Sequence, residues 1–303
     1  MRPLIEFART IRLSHTLFAL PFALAAALVA EPPWPRPAAL ALLAACMVFA
    51  RTAAMGMNRV ADAAFDARNP RTADRAIPAG RLARRTALVL ALASAAAFVA
   101  AAWGFYLERG NAWPGLLAPL FAAVLLGYSF AKRVTMLSHA VLGLALGLAP
   151  VGAWVALRGR LDAVPVFMGA AVLCWTAGFD ILYAFQDIDV DRRDGLHSVP
   201  ARLGPRAARW IALVLHALTV LLLVATVMAD NAAGGDRVLG NGATLAAEFI
   251  AIVLGAQHWR ARKADAATIA RGFFPLNAFV SILWLAGVAA DVGIATGLLP
   301  WGP

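Results

Sequence analysis

The sequence predicts an all-α, polytopic membrane protein of nine transmembrane helices. Composition is the first observation behind this. Hydrophobic residues fill 62% of 303 positions and charged residues 15%, where a soluble domain carries about 25% charge. The second is the run of apolar segments, nine of them, each long enough to cross about 30 Å of hydrocarbon as a helix. The third is the alternation of basic residues between successive connections.

The segments follow in order. The first, 13–30, leads into Glu31-Pro32-Pro33-Trp34-Pro35 and not into a small-residue cleavage site, so it reads as a retained helix. The second, 38–58, ends in N-R-V-A-D-A-A-F-D from Asn58 to Asp66. The third and fourth are 86–105 and 114–131, the latter closing on G-Y-S-F-A-K-R. The fifth is 138–157. The sixth, 163–183, runs into D-I-L-Y-A-F-Q-D-I-D-V-D-R-R-D from Asp180 to Asp194. The last three are 207–229, 240–258 and 273–295. Alanine, leucine and interspersed glycine let such helices pack closely. The segments are too long and too uniformly apolar for barrel strands. No polar run exceeds about 20 residues, so residues 1–303 read as a single transmembrane domain. Cys46 and Cys174 fall inside apolar segments and read as buried thiols, with no disulfide expected.

Orientation follows from Lys and Arg. With a cytoplasmic N-terminus, 21 of the 27 basic residues fall on the cytoplasmic side. Only Arg36, Arg109, Arg158, Arg160 and Arg237 lie opposite, and Arg51 sits within a helix. That is a strong positive-inside bias. It places the chain in a bacterial inner (cytoplasmic) membrane, with the C-terminus on the far side. The net charge of +10 is split among loops and forms no single stripe, which argues against nucleic acid. No obligatory protein partner is expected; the surroundings are the bilayer.

Both acidic clusters then come out on the cytoplasmic side. Asn58, Asp62 and Asp66 are spaced i, i+4, i+8, which puts them on one helix face. If the helix continues through the second cluster, Asp180, Asp187 and Asp191 fall within about 20° of one stripe at 100° per residue, with Tyr183 beside them. Asp189 and Asp194 fall elsewhere and, like Asp74, read as solvated or supporting. Carboxylates aligned so closely repel unless a cation sits among them. Mg²⁺ fits, because it prefers hard oxygen ligands, keeps water, and is completed by substrate phosphates. The metal ligands expected are Asn58, Asp62, Asp66, Asp180, Asp187 and Asp191.

Basic residues flank the acids. Arg71, Thr72 and Arg75 follow the first cluster, Lys132 and Arg133 end the fourth segment, and Arg192 and Arg193 follow the second cluster. Cations and a metal together stabilise the charge that develops when a C–O bond to diphosphate breaks. An apolar remainder of the substrate would lie between helices, which suggests a lipid diphosphate. Arg51, about two turns before Asn58, faces the bundle interior on this reading. Phe18, Tyr128, Trp175, Phe179 and Tyr183 would line the channel or flank a carbocation. His15, His139 and His197 fall near the same face as hydrogen-bond partners, and His216 reads as packing. Arg84, Arg85, Arg206 and Arg209 read as interfacial anchors.

These motifs, together with R-T-A-D-R-A-I-P-A-G at 71–80 and G-L-H-S at 195–198, resemble the UbiA superfamily of membrane prenyltransferases. The resemblance covers essentially the whole chain. It implies nine helices around a central cavity, with Mg²⁺ on two aspartate-rich motifs binding an isoprenyl diphosphate. Asn58, Asp62 and Asp66 match the first motif, and Asp180, Tyr183, Asp187 and Asp191 the second. Arg75, Lys132 and Arg133 match positions associated with diphosphate. Arg59 stands where many members have an acid, which departs from the pattern. The motifs are most similar to bacterial 4-hydroxybenzoate polyprenyltransferases, a subgroup overlapping enzymes proposed to prenylate 1,4-dihydroxy-6-naphthoate in the futalosine route to menaquinone.

The resulting expectation is Mg²⁺-dependent transfer of a polyprenyl group from polyprenyl diphosphate to an aromatic acid in quinone biosynthesis. Catalysis is expected from Asp62, Asp66, Asp187 and Asp191. Substrate binding is expected from Arg51, Asn58, Arg71, Arg75, Tyr128, Lys132, Arg133, Tyr183 and Arg192. The ring proton would pass to a carboxylate of the second motif or to the leaving diphosphate. A cation-coupled secondary transporter is the alternative class. It needs charged groups near the midplane, and here the acids gather at one face.

Overall fold

The computed structural model describes residues 2–11, 18–234, 237–262 and 266–299, without the side chains of 2–5, 9 and 266–274. His15 lies outside the described residues. Among the described residues every regular element is helical, with no strand. The order is α1 (Arg2–Ile11), α2 (Leu20–Ala30), α3 (Pro37–Asp66), α4 (Arg84–Arg109), α5 (Trp113–Ala131), α6 (Ser138–Arg158) and α7 (Ala163–Tyr183). A 3₁₀ turn (Ala184–Asp187) then leads to α8 (Ile188–Arg193), α9 (Val199–Ala232), α10 (Asn241–Ala261) and α11 (Ala266–Ala295).

Among the described residues, seven helical stretches are long and apolar enough to cross a membrane: α3, α4, α5, α6, α7 with its extension to Arg193, α9, and Pro275–Ala295 within α11. The two other expected spans differ for separate reasons. The described part of the first segment is the eleven-residue α2, which is apolar but short. In α10, Glu248, Gln257, His258 and Arg260 interrupt the apolar run.

Glycines set the closest helix contacts. A Cβ on Gly143 would lie 2.4 Å from the Leu173 carbonyl oxygen, and one on Gly147 would lie 2.5 Å from that of Gly169. The G-x-x-x-G spacing therefore lets α6 and α7 touch backbone to backbone. The same closeness joins Gly242 of α10 to Gly287 of α11. The core centres on Trp175, Trp284, Phe22 and Met168, all fully buried. A buried indole N–H is costly without an acceptor; that of Trp175 donates to Asn277 Oδ1 at 3.1 Å. Leu107, Leu221, Ile252 and Met228 are exposed on outward faces, as lipid contact requires.

At the far end of α9, buried acids act as backbone caps. Asp230 accepts from the Val238 and Leu239 amides, and Asp291 from those of Gly240, Gly242 and Ala243. At the opposite end converge the C-terminus of α3, the 67–83 loop, the C-terminus of α5, the start of α6, and the α7–α8 junction.

That junction corrects one expectation. A single helix through Asp180, Asp187 and Asp191 is not what forms. The α-helix stops at Tyr183, a tighter 3₁₀ turn follows, and Asp187 leaves helical geometry at φ −112°, ψ 8°. Asp187 there is held by Asn69 and Arg71 of the 67–83 loop, and short 3₁₀ turns are frequent at helix ends.

Candidate functional site

A cavity of about 330 Å³ opens at this end of the bundle. From α3 come Asn58, Asp62 and Asp66, and from the loop Asn69, Arg71, Thr72 and Arg75. Tyr128, Lys132 and Arg133 close one side at the end of α5, and His139 stands at the start of α6. Asp180, Tyr183, Asp187 and Asp191 face them from α7 and beyond. Both acidic clusters thus line one space, although more than a hundred residues separate them.

Each carboxylate has its own basic or imidazole partner. Arg71 grips Asp187 with two bonds, Nη2 to Oδ2 at 2.6 Å and Nε to Oδ1 at 3.2 Å. Arg75 Nη1 meets Asp66 Oδ1 at 2.6 Å, and Lys132 Nζ meets Asp191 Oδ1 at 2.7 Å. Arg133 reaches Asp62 Oδ1 at 3.4 Å, and His139 Nδ1 lies 2.6 Å from Asp180 Oδ2. Close acids need this compensation, since an unpaired charge here carries a large desolvation cost. Burial pulls the Arg71 pKa down, but Asp187, together with Tyr183 and Asp66, more than restores it, so the guanidinium is held above its ordinary range.

Asn58 joins this net, donating to Asp62 Oδ2 at 3.0 Å and accepting from Arg59 at 3.5 Å. Tyr183 receives Arg71 at its hydroxyl, 3.4 Å away, with the guanidinium carbon 5.7 Å from its ring centre.

Among the described residues, no three His, Cys, Asp or Glu side chains converge as a closed metal cage. The carboxylates are instead spread around the cavity wall. Two of their oxygens, Asp66 Oδ2 and Asp191 Oδ2, are buried with no hydrogen-bond partner among the described residues. These hard donors fit an ion such as Mg²⁺, which takes one or two carboxylates and completes its shell with water and phosphate.

Arg51 occupies a different position. Its Nε is buried without a partner among the described residues. It lines the polar cavity and also a second, apolar cavity of about 140 Å³, as does Tyr128. That second space is walled by Leu43, Met47, Phe98, Phe121 and Leu146. Arg51 therefore stands on the seam between a charged chamber and an oily one.

Arg192 is the exception among the expected residues. It is exposed, does not line the cavity, and donates from Nε to the Ala201 carbonyl oxygen at 3.2 Å. The reason is helix phase: Asp191 points inward from α8, and the next residue is turned about 100° away. Asp189 is likewise exposed, and Asp194 sits with Arg68 and Arg193. Asn69 was not anticipated. Its amide donates to Asp187 Oδ1 at 3.1 Å, and its own oxygen accepts from the Arg71 amide at 3.0 Å. An Asn-Pro pair between two acidic motifs was the available signal for a structured turn.

Residues 19–283 match the UbiA prenyltransferase family. Curated relatives include a 4-hydroxybenzoate octaprenyltransferase from Tolumonas auensis, 34% identical over 57% of this chain and 59% of its own length. Another of that name, from Pectobacterium atrosepticum, is 31% identical over 62% of this chain and 64% of its own. The match thus spans about three fifths of the length of these relatives. Among solved structures, a UbiA homolog from Aeropyrum pernix K1 in its apo form superposes with a TM-score of 0.79 at 36% identity, covering 92% of this chain and 98% of that one. A UbiA homolog from Archaeoglobus fulgidus bound to DMAPP and Mg²⁺ has the same fold, with a TM-score of 0.71 at 18% identity over 95% and 99% of the two chains. The family match over most of the sequence, together with the shared fold, shows that this chain belongs to the UbiA prenyltransferase family.

Proposed function

We propose that this protein transfers a polyprenyl group from a polyprenyl diphosphate to an aromatic acid, with 4-hydroxybenzoate as the leading acceptor. The observation that carries the reading is the seam at Arg51. A charged chamber suited to diphosphate adjoins an apolar one suited to a prenyl chain, and between them stands a guanidinium whose Nε has no partner among the described residues. The names of the curated relatives support this acceptor class. The alternative acceptor, 1,4-dihydroxy-6-naphthoate, also carries a carboxylate for Arg51.

Asn58, Asp62, Asp66, Asp180, Asp187 and Asp191 would hold Mg²⁺, the ion found with an isoprenyl diphosphate in the Archaeoglobus homolog. Bound there, the metal supplies positive charge against the leaving diphosphate oxygens. Arg71, Arg75, Lys132 and Arg133 exchange their carboxylate partners for diphosphate oxygens. Tyr183 and Tyr128 present π-faces to the allylic carbon as positive charge develops there. The allylic C–O bond breaks, and diphosphate leaves with the electron pair. A ring carbon ortho to the phenolic hydroxyl forms the new C–C bond. The ring proton passes to a second-motif carboxylate or to the departing diphosphate. Arg51 holds the acceptor carboxylate through charge-assisted hydrogen bonds.

The distribution of basic residues supports a cytoplasmic site in a bacterial inner membrane. The test is an assay of purified protein with Mg²⁺, a labelled polyprenyl diphosphate and a panel of aromatic acids. Prenylated 4-hydroxybenzoate is the expected product. Folded protein that prenylates no aromatic acid on the panel overturns the reading.

A further inference from the structure

On the outer surface, at the same end of the bundle as the carboxylates, α9 and α10 form a groove of about 540 Å³. From α9 it receives Arg206, Arg209 and Trp210, from α10 Gly255, His258 and Trp259, and Arg262 follows one residue past the end of α10. The spacings i, i+3, i+4 and i, i+3, i+4, i+7 put each set on one helix face. Three guanidinium groups therefore border one depression. Among the described residues, no carboxylate lines the groove. Such a cluster repels itself unless an anion joins it.

Two further observations point to a ligand. Arg209 Nε is buried without a hydrogen-bond partner among the described residues, while its guanidinium carbon lies 5.5 Å from the Phe185 ring centre. One donor of a fixed, stacked arginine is thus unspent beside the groove. In addition, a Cβ on Gly255 would meet nothing within 4 Å. Helix packing does not require that glycine; its effect is to leave the groove floor open.

The surroundings identify the class of ligand. Trp210 and Trp259 are 66% and 67% exposed, and Trp favours the boundary between headgroups and hydrocarbon. Beyond them along the same helices, Val214, Leu218, Leu221, Phe249 and Ile252 are each exposed. Planar arginine donors match phosphate oxygens, and basic pockets between membrane helices bind anionic headgroups. We infer that this groove binds the headgroup phosphate of an anionic phospholipid, with its acyl chains against the apolar faces of α9 and α10. The site is separate from the carboxylate cavity: none of its arginines lines that space.

The test is lipid retention, which does not depend on catalysis. Full-length protein is reconstituted in nanodiscs containing equal phosphatidylglycerol and phosphatidylcholine, extracted into detergent and measured by native mass spectrometry. Wild type is expected to retain one phosphatidylglycerol about tenfold over phosphatidylcholine. Arg206→Gln/Arg209→Gln/Arg262→Gln removes that preference. Gly255→Leu fills the floor where no neighbour stands and lowers retention about tenfold, which keeps the test open if the triple variant folds poorly. Equal retention of the two lipids by wild type overturns the inference, as does retention unchanged in Gly255→Leu. Displacement of the lipid by millimolar inorganic phosphate would reveal a free-phosphate site and overturn the lipid assignment.

Discussion

His139 Nδ1 lies 2.6 Å from Asp180 Oδ2, while its Nε2 accepts the Val199 backbone N–H at 3.3 Å. The second contact decides the first. A nitrogen that accepts from an amide carries no proton, so the ring proton of neutral His139 resides on Nδ1 and is donated to Asp180. The imidazole is buried and so is the amide that fixes it. Asp180 is therefore held as an oriented acceptor with Oδ1 left for other use. His139 acts through Asp180 and is a positioning residue. Carboxylates oriented this way typically lose about 10–100-fold in metal affinity or activity when the support is removed. His139→Ala is expected to raise the Mg²⁺ concentration for half-maximal activity by that factor. His139→Asn, which keeps a donor near Nδ1, should restore part of it. An unchanged Mg²⁺ midpoint in His139→Ala would show that the contact only packs.

The Arg71–Asp187 fork makes a separate prediction. Lysine keeps the charge but offers a point donor in place of two parallel N–H groups. A hydrogen bond to a charged group contributes about 1.5–3 kcal/mol, or roughly 10–100-fold. Arg71→Lys should therefore raise KM for polyprenyl diphosphate by about tenfold or more and leave KM for the aromatic acid near wild type. Steady-state kinetics with each substrate varied in turn separates the two. A rise confined to the aromatic acid would remove Arg71 from the diphosphate side.

Much of this site was legible in the residues themselves, and the part that was not has physical causes. Asn58, Asp62 and Asp66 lie within one uninterrupted helix, so periodicity placed them on one face. Asp180, Asp187 and Asp191 also reached the cavity, but the single helix used to align them breaks after Tyr183. The alignment survived because the 3₁₀ turn and α8 together return Asp191 inward. Arg192 was misplaced because composition shows a basic residue beside an acid without showing the helix phase that turns it outward. The pairings were hidden for another reason. Asn69 meets Asp187 across 118 positions and Arg71 meets it across 116, and no local pattern reports such a contact. The spans were legible where apolar runs were clean, and less so in α10, where polar residues intrude.

Arg51 gives the clearest test of the acceptor. A carboxylate held by a buried guanidinium is distinguished from its methyl ester, because the ester leaves the positive charge unmatched. Wild type is expected to prefer 4-hydroxybenzoate over methyl 4-hydroxybenzoate by about 10–100-fold in kcat/KM. Arg51→Leu should lose most of that preference, with KM for polyprenyl diphosphate little changed. If the preference persists in Arg51→Leu, the acceptor carboxylate is held elsewhere.

The α6–α7 contact makes a stability prediction independent of function. Gly147 leaves no room for a side chain beside the Gly169 carbonyl, whereas Gly127 has nothing within 4 Å. Overpacking costs typically about 1–3 kcal/mol. Gly147→Val should lower the Tm of detergent-solubilised protein by several degrees, and Gly127→Ala, in open space within α5, should leave it unchanged or raise it. A Gly147→Val protein as stable as wild type would mean that the two helices separate without penalty.

The arrangement of paired charges leads to a last prediction, about cooperativity. Each acid in the cavity is engaged by a cation or by His139, so a metal ion arriving alone must displace a neighbour such as Arg75 from Asp66 or Lys132 from Asp191. The displaced cation is then left without a counter-charge, which is costly in a partly buried site. Diphosphate arriving alone faces the mirror problem, because it draws Arg71 or Lys132 away from carboxylates that it also repels. Together the two ligands exchange partners completely: metal with carboxylate, and phosphate with Arg or Lys. Any ligand that binds the folded state raises Tm by an amount that grows with its concentration relative to its Kd. Mg²⁺ plus inorganic diphosphate should therefore raise Tm by more than the sum of the shifts given by each alone. In Asp66→Asn the excess should shrink, because one exchanging pair is gone. Additive shifts in wild type would mean that the acids and the basic residues bind their ligands independently.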